Sequence, residues 1–166
     1  MVVESVRVHM LSSQHVVILK DTGRDRYLPI WIGSSEANAI AMRLQGVTPE
    51  RPLTHDLFCK TLEELGVSVR QIVVAELSDE TYRARLVLES DGRDIEVDAR
   101  PSDAIALAVR AGVPIYATDE VMDRAAVTPE ADDDEKLSVF REFVNSLDVD
   151  LPDPPLEGPE ERRRLE

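Results

Sequence analysis

Polar and apolar residues alternate from Val2 to Met10, with Val2, Val6, Val8 and Met10 on one face and Val3, Ser5, Arg7 and His9 on the other. Such a period of two predicts a half-buried strand, with Glu4 out of phase. Gln14 to Asp21, centred on the apolar run VVIL, reads as a second strand and Arg26 to Ile32 as a third. DTGRD between them, with Gly23 available for an unusual backbone angle, predicts a hairpin. Leu28, Ile30 and Ile32 share one face of the third strand, Tyr27, Pro29 and Trp31 the other, and the proline favours an edge or a bulge. After Gly33 the period changes. SSEANAIAMRLQG spaces Ala37, Ile40, Ala41 and Leu44 as a helical stripe closed by Gly46. Thr54 reads as the N-cap of a second helix, with Asp56 in its first turn, Leu57, Phe58, Thr61, Leu62 and Leu65 on one face and Gly66 as its stop.

Val67 to Leu77 reads as a long strand, followed by a hairpin whose register can be derived. Thr81 to Glu89 alternates with Tyr82, Ala84, Leu86 and Leu88 inward, Asp91-Gly92 is a strong two-residue turn, and Arg93 to Ala99 returns. That loop sets Ser90 against Arg93, Leu88 against Ile95, Leu86 against Val97 and Arg85 against Asp98, which makes the last two an ion pair. It also sets Glu89 against Asp94. A solvated turn tolerates such a like-charge pair, with a bound cation the lesser alternative.

The stretch DARPSDAIALAVRAGVPIYA, residues 98–117, organises the rest. Its run AIALAV is apolar on every side of a helical turn and predicts a central, covered helix. Pro101 suits the first turn, and Gly112 with Pro114 makes the stop. Pro114 to Thr118 reads as a short strand and Asp119 to Ala126 as a short helix. TPEADDDE is a linker, Glu135 to Leu147 an amphipathic helix suited to docking on the body or on a protein partner, and residues 148–166, with four prolines, a disordered tail. The elements sum to an α+β chain built on a mixed, largely antiparallel twisted sheet packed with helices. It divides into one domain over 1–126, the linker and helix over 127–147, and the acidic, proline-rich tail over 148–166.

Charge and composition narrow the function. A net charge of −14 opposes a nucleic-acid partner. Yet residues 1–118 carry 17 acids and 13 bases, net −4, and residues 119–166 carry 16 acids and 6 bases, net −10. A near-neutral body can still hold a local basic groove, and Arg7, Lys20, Arg24 and Arg26 are its best candidates, although a solvated face is the commoner use of such residues. The single cysteine, Cys59, makes neither an internal disulfide nor a cysteine-based metal site and suits a buried place on a helix. No run approaches roughly 18 apolar residues, and the charged N-terminus lacks a signal-peptide core. A cytoplasmic protein with no membrane partner is the expectation.

Phosphate-binding glycine loops, GxSxG, paired-histidine metal motifs and C-x-x-C are all missing from the sequence. The ordered strings LPIWIGSSEANAIAMRLQG, PLTHDLF and DARPSDAIALAVRAGVPIYA, however, closely resemble the bifunctional nuclease family of bacteria and plants, over about residues 1–126. The resemblance implies a roll-like α+β domain that assembles as a homo-oligomer and hydrolyses both DNA and RNA.

Phosphodiester hydrolysis needs an activated water and positive charge over the developing phosphorane, from carboxylate-held Mg²⁺ or Mn²⁺ or from Arg, Lys and His. Glu36, Asp56 and Asp103 each stand in the first turn of a predicted helix. If those three N-termini converge, Glu36, His55, Arg100 and Asp103 form a catalytic cluster. Asp103, Glu36 and Asp56 are the candidate metal ligands, and Arg100 and Ser102 the substrate contacts. His55 would act as general base or acid and Arg100 as a bidentate phosphate clamp. Any helix favours an acid in its first turn, by about 0.3 to 1 kcal/mol, so each acid also has a purely structural reading. Asp98 goes to its cross-strand partner, and His9 and His15 read as ordinary strand residues. Trp31 has a face on which a base could stack, although a lone aromatic on a strand more commonly packs against protein. The other function class open to the sequence is a non-catalytic oligomeric module that docks a partner through 135–147.

Overall fold

The structure, a computed structural model, describes residues 1–9, 13–128 and 147–148. Two four-stranded sheets and four helices make an α+β domain. The first sheet has β1 (Val2–His9), β2 (Gln14–Lys20), β3 (Tyr27–Ile32) and the two-residue β8 (Leu147–Asp148), in the order β3-β2-β1-β8. The second has β4 (Ser68–Ser78), β5 (Thr81–Ser90), β6 (Arg93–Ala99) and β7 (Ile115–Ala117), in the order β6-β5-β4-β7. All pairings are antiparallel except β4 with β7. The predicted helix Glu135 to Leu147 lies outside the described residues apart from Leu147, which is extended and pairs with His9. Among the described residues no helix is long and apolar enough to cross a membrane.

Helix α3 (Pro101–Ala111) is the hub, as its all-round apolar run requires: Ala104, Ile105, Ala106, Leu107 and Ala108 are buried. It packs against α1 (Ser34–Leu44), α2 (Thr54–Glu64), β4 and β5. One core unites it with Val17, Leu19, Leu28 and Ile30 of the first sheet, Ile72, Val74, Ala84 and Leu86 of the second, and Val121 and Met122 of α4 (Asp119–Ala125). Gly46, Gly66 and Gly112 all take positive φ just beyond α1, α2 and α3, where a side chain would be strained.

The hairpin register is as derived: Ser90 faces Arg93, Leu88 faces Ile95, Leu86 faces Val97 and Arg85 faces Asp98. The ion pair is not. Arg85 Nη1 reaches Glu96 Oε2 at 3.4 Å, because the long side chain leans to the diagonal neighbour on the same face. Glu89 and Asp94 do face each other, and each finds its own donor. Glu89 Oε1 accepts from Gly92 N–H at 2.8 Å, and Asp94 pairs with Arg70 at 2.8 Å.

Two further expectations change. Glu4 is the extra residue of a β-bulge, since Val3 faces Leu19 and Ser5 already faces Ile18. A bulge inverts the phase of a strand, so Val3 and Val6 pack on the core together while Val2 is exposed. Thr54 is the first helical residue of α2 rather than its cap. The N-cap is Leu53, whose N–H donates to Asp56 Oδ2 at 3.0 Å.

Candidate active site

Three helix starts meet. β6 ends at Ala99, Arg100 takes an extended conformation (φ −68°, ψ 141°), and Pro101 begins α3, so Arg100, Ser102 and Asp103 crowd its N-terminus. β3 runs into α1 through Gly33, which puts Glu36 in that helix's first turn, and α2 begins with Thr54 and His55.

Arg100 Nε donates to Asp103 Oδ2 at 2.7 Å, and Nη2 donates to Asp103 Oδ1 at 3.1 Å and to Glu36 Oε1 at 2.8 Å. His55 Nε2 lies 3.3 Å from Asp103 Oδ1. Glu36, His55, Arg100 and Asp103 thus share one hydrogen-bonded chain. The bidentate edge expected to clamp a phosphate is spent on Asp103. Nη1 has no partner among the described residues, and the Arg100 side chain is 66% exposed. His55 is 15% exposed and more enclosed.

Glu36 is held down by a feature the sequence did not flag. A Cβ at Gly33 would collide with Glu36 Oε2, so the carboxylate lies over the bare backbone of that glycine. Gly33 has ordinary extended angles, φ −71° and ψ 155°. Its role is a seat for Glu36, not backbone freedom, and nothing in local sequence signals that.

Asp56 goes elsewhere. Its Oδ1 takes Arg110 Nε at 2.6 Å and its Oδ2 caps Leu53. Arg110, 7% exposed, also donates to Ala106 O at 2.9 Å and Ala39 O at 3.2 Å, so one guanidinium ties α1, α2 and α3 together. Both oxygens of Asp56 therefore have structural partners. Arg110 was not singled out by sequence, because Arg110 and Asp56 lie 54 positions apart.

Burial acts to raise the Asp103 carboxyl, but hydrogen bonds from Arg100 and His55, with their charges, outweigh it and hold Asp103 below the ordinary value. Burial also opposes ionisation of Asp56, and Arg110 and the Leu53 N–H bring it down in the same way. The Asp103 and Glu36 carboxylates raise Arg100, which stays charged. An ionised carboxylate only accepts, so the contact with Asp103 calls for a proton on His55 Nε2.

The donor set expected for a divalent ion does not fit one as arranged. Glu36 Oε1 and both oxygens of Asp103 are engaged by a guanidinium, and Asp56 is engaged by another. No group of three His, Cys, Asp or Glu among the described residues is disposed to hold a metal ion. The cation at the centre of this cluster is Arg100.

Beside Arg100 opens a cleft of about 400 Å³. Its lining includes Arg100, Pro101 and Ser102 at the start of α3, Trp31 near the end of β3 and Tyr82 near the start of β5. Ser102 is buried.

A cluster of this kind at a helix N-terminus, set in an α+β domain of two sheets around a hub helix, defines a small domain with a polar, arginine-centred cleft. The sequence pattern of the bifunctional nuclease domain matches residues 17–130, and the chain belongs to that family. It is 41% identical over 157 residues to an uncharacterized protein of Mycobacterium tuberculosis, covering 89% of this chain and 94% of that one. It is 30% identical over 114 residues to Bifunctional nuclease 1 of Oryza sativa subsp. japonica, covering 66% of this chain and 34% of the rice protein. Bifunctional nuclease 1 of Arabidopsis thaliana is 30% identical over 103 residues, covering 60% of this chain and 32% of its own. The matched region is thus about a third of each plant protein.

Proposed function

We propose that the chain is a nuclease hydrolysing phosphodiester bonds of DNA and RNA with little sequence preference, at the cluster of Glu36, His55, Arg100 and Asp103. The observation that supports it most is the shared hydrogen-bond chain of these four side chains, of which Arg100 also lines a cleft, in a member of the bifunctional nuclease domain family. Asp103 orients His55, whose Nδ1 takes a proton from water as the water oxygen bonds to phosphorus. As the P–O bond to the leaving sugar oxygen breaks, the imidazolium returns a proton to that oxygen. Arg100 Nη1 and the N–H groups of the first turn of α3, which precede the first intrahelical bond from Ala104 to Arg100 O, face the growing phosphorane charge. Glu36 positions Arg100. Homo-oligomer assembly, implied by the resemblance, belongs to the same proposal and is read by light scattering.

The test incubates purified chain with single-stranded RNA and with duplex DNA, in Mg²⁺, in Mn²⁺ and in EDTA. Cleavage by wild type, lost in the His55→Ala, Asp103→Ala double variant, is expected. Equal degradation by both would overturn the site. Cleavage that stops in EDTA would show that a metal displaces Arg100 from the two carboxylates and that the metal-free chemistry is wrong.

A further inference from the structure

We propose that the outer face of the first sheet is the docking surface of the chain's own segment 129–146, whose apolar stripe seats on Val16 and Ile18. The docking is independent of the nuclease reading, and it gives the amphipathic stripe of 135–147 a place on the body instead of on a protein partner. β2 carries the unbroken run Val16, Val17, Ile18 and Leu19, and all four are buried, Val16 at 0% and Ile18 at 3% exposure. A strand apolar on both sides needs cover on both sides. Val17 and Leu19 face the common core. Val16 and Ile18 face away from it, and among the described residues the one partly buried hydrophobic side chain packed on them is Tyr27, from the next strand of the same sheet. Their cross-strand neighbours are Arg7 and Trp31 beside Val16, and Ser5 and Pro29 beside Ile18. Side chains of one sheet face stand side by side, so these neighbours flank Val16 and Ile18 without roofing them.

The path of the chain identifies the occupant. Tyr27 and Val127 exchange backbone hydrogen bonds of 2.9 and 2.8 Å at the free edge of β3. Leu147 and Asp148 pair with His9 and Val8 at the opposite edge, beyond β1. Residues 129–146 therefore connect the two edges. They also connect opposite ends of the strands, because Tyr27 is level with Lys20 and Val2, whereas His9 is level with Gln14. The diagonal between those corners passes over the middle of β2, where Ile18 and Val16 stand. At about 4.8 Å per strand and 3.3 Å per residue it spans roughly 30 Å, which residues 129–146 can cover even with 135–146 helical. The other face of the sheet is filled by α1 and the core. Leu137, Phe140 and Val144 recur at helical spacing, and the segment carries six acids against two bases. Arg7 and Lys20 flank the apolar centre of the face, so the charges match as well. Both bases are thereby taken out of the strip open to a nucleic acid.

Cross-linking in the full chain tests the occupant. Cys59→Ala removes the native thiol, and Ser5→Cys with Arg141→Cys puts one thiol beside Ile18 and one on the segment. A short bis-maleimide should join them within one chain, giving a product of monomer size whose yield does not change on tenfold dilution. A cross-linked dimer would mean that a second copy covers the face, and the absence of any cross-link would mean that the segment lies elsewhere; either result overturns the docking. Stability gives a second measure. Phe140→Asp and Val144→Asp should each lower Tm by roughly 5 °C or more and raise the binding of a hydrophobic dye several-fold, because Val16 and Ile18 lose their cover. Ser138→Asp, which falls off the stripe at helical spacing, should do neither. Unchanged Tm and dye binding in Phe140→Asp, or equal losses in Ser138→Asp, would also overturn the docking.

Discussion

Gly33 and Asp103 show how much a single position contributes to the site. Gly33→Ala has no backbone penalty at φ −71°, and the atom it strikes is the end of a flexible side chain. Its cost in stability should stay under about 1 kcal/mol by thermal melting, because Glu36 can swing away. Activity should nevertheless fall, by about ten- to a hundredfold, since Arg100 loses the partner that positions it. A Gly33→Ala variant with wild-type activity would remove Glu36 from the mechanism. Asp103 carries a sign that pH can test. Its folded carboxyl lies below the ordinary value, so its contribution to stability is present above the unfolded value near pH 4 and is lost as pH falls through the folded one. Urea midpoints measured downward from pH 5 should drop below about pH 4, and Asp103→Asn should flatten that drop.

Turns and helix ends were legible where local chemistry decides the backbone. Asp91-Gly92 and the alternation around it fixed the whole β5–β6 register, because a slip of one residue would take Leu88 and Leu86 out of line with Ile95 and Val97. The β1 phase was lost to one inserted residue, Glu4, which local patterning marks only as an exception. The Arg85 partner was missed because a long side chain chooses among diagonal neighbours that register does not rank. The convergence of Glu36, His55 and Asp103 followed from three acids or histidines at three helix starts. The diversion of Asp56 did not, because it depends on Arg110 arriving from the far end of α3. Asp56→Asn should therefore cost stability, about 1–3 kcal/mol by denaturant titration, and leave activity per folded molecule unchanged. Another two-residue turn, Asp79-Glu80 between β4 and β5, takes φ 47° and 60° with no glycine to relieve it. Glu80→Gly should stabilise the fold by about 1 kcal/mol, a rise of roughly 3 °C in Tm. Glu80 also lines the cleft, so the same change removes a negative charge from the path of an incoming phosphate.

Across the whole molecule, the charge opposes the proposed substrate, and the opposition is concentrated after residue 118. Truncation should be made after Thr128 and not at Ala126, because Val127 exchanges backbone hydrogen bonds with Tyr27 on the edge of β3. At low salt the shortened chain should bind single-stranded DNA more tightly than the full chain, with the gap closing near 0.5 M salt as screening takes over. A gap that persists at high salt would mean the removed segment blocks the cleft by contact. Arg100 bears on how the protein depends on its surroundings. It is a counter-ion on a leash: bound to the backbone, it cannot be chelated, exchanged for another ion or diluted away. On the proposed mechanism hydrolysis would not depend on free cations, and loss of this side chain would leave Glu36 and Asp103 without their cation. Arg100→Gly should therefore trade one dependence for another, leaving Glu36, His55 and Asp103 around a vacated centre that takes up Mn²⁺ in a calorimetric titration where the parent protein takes up none.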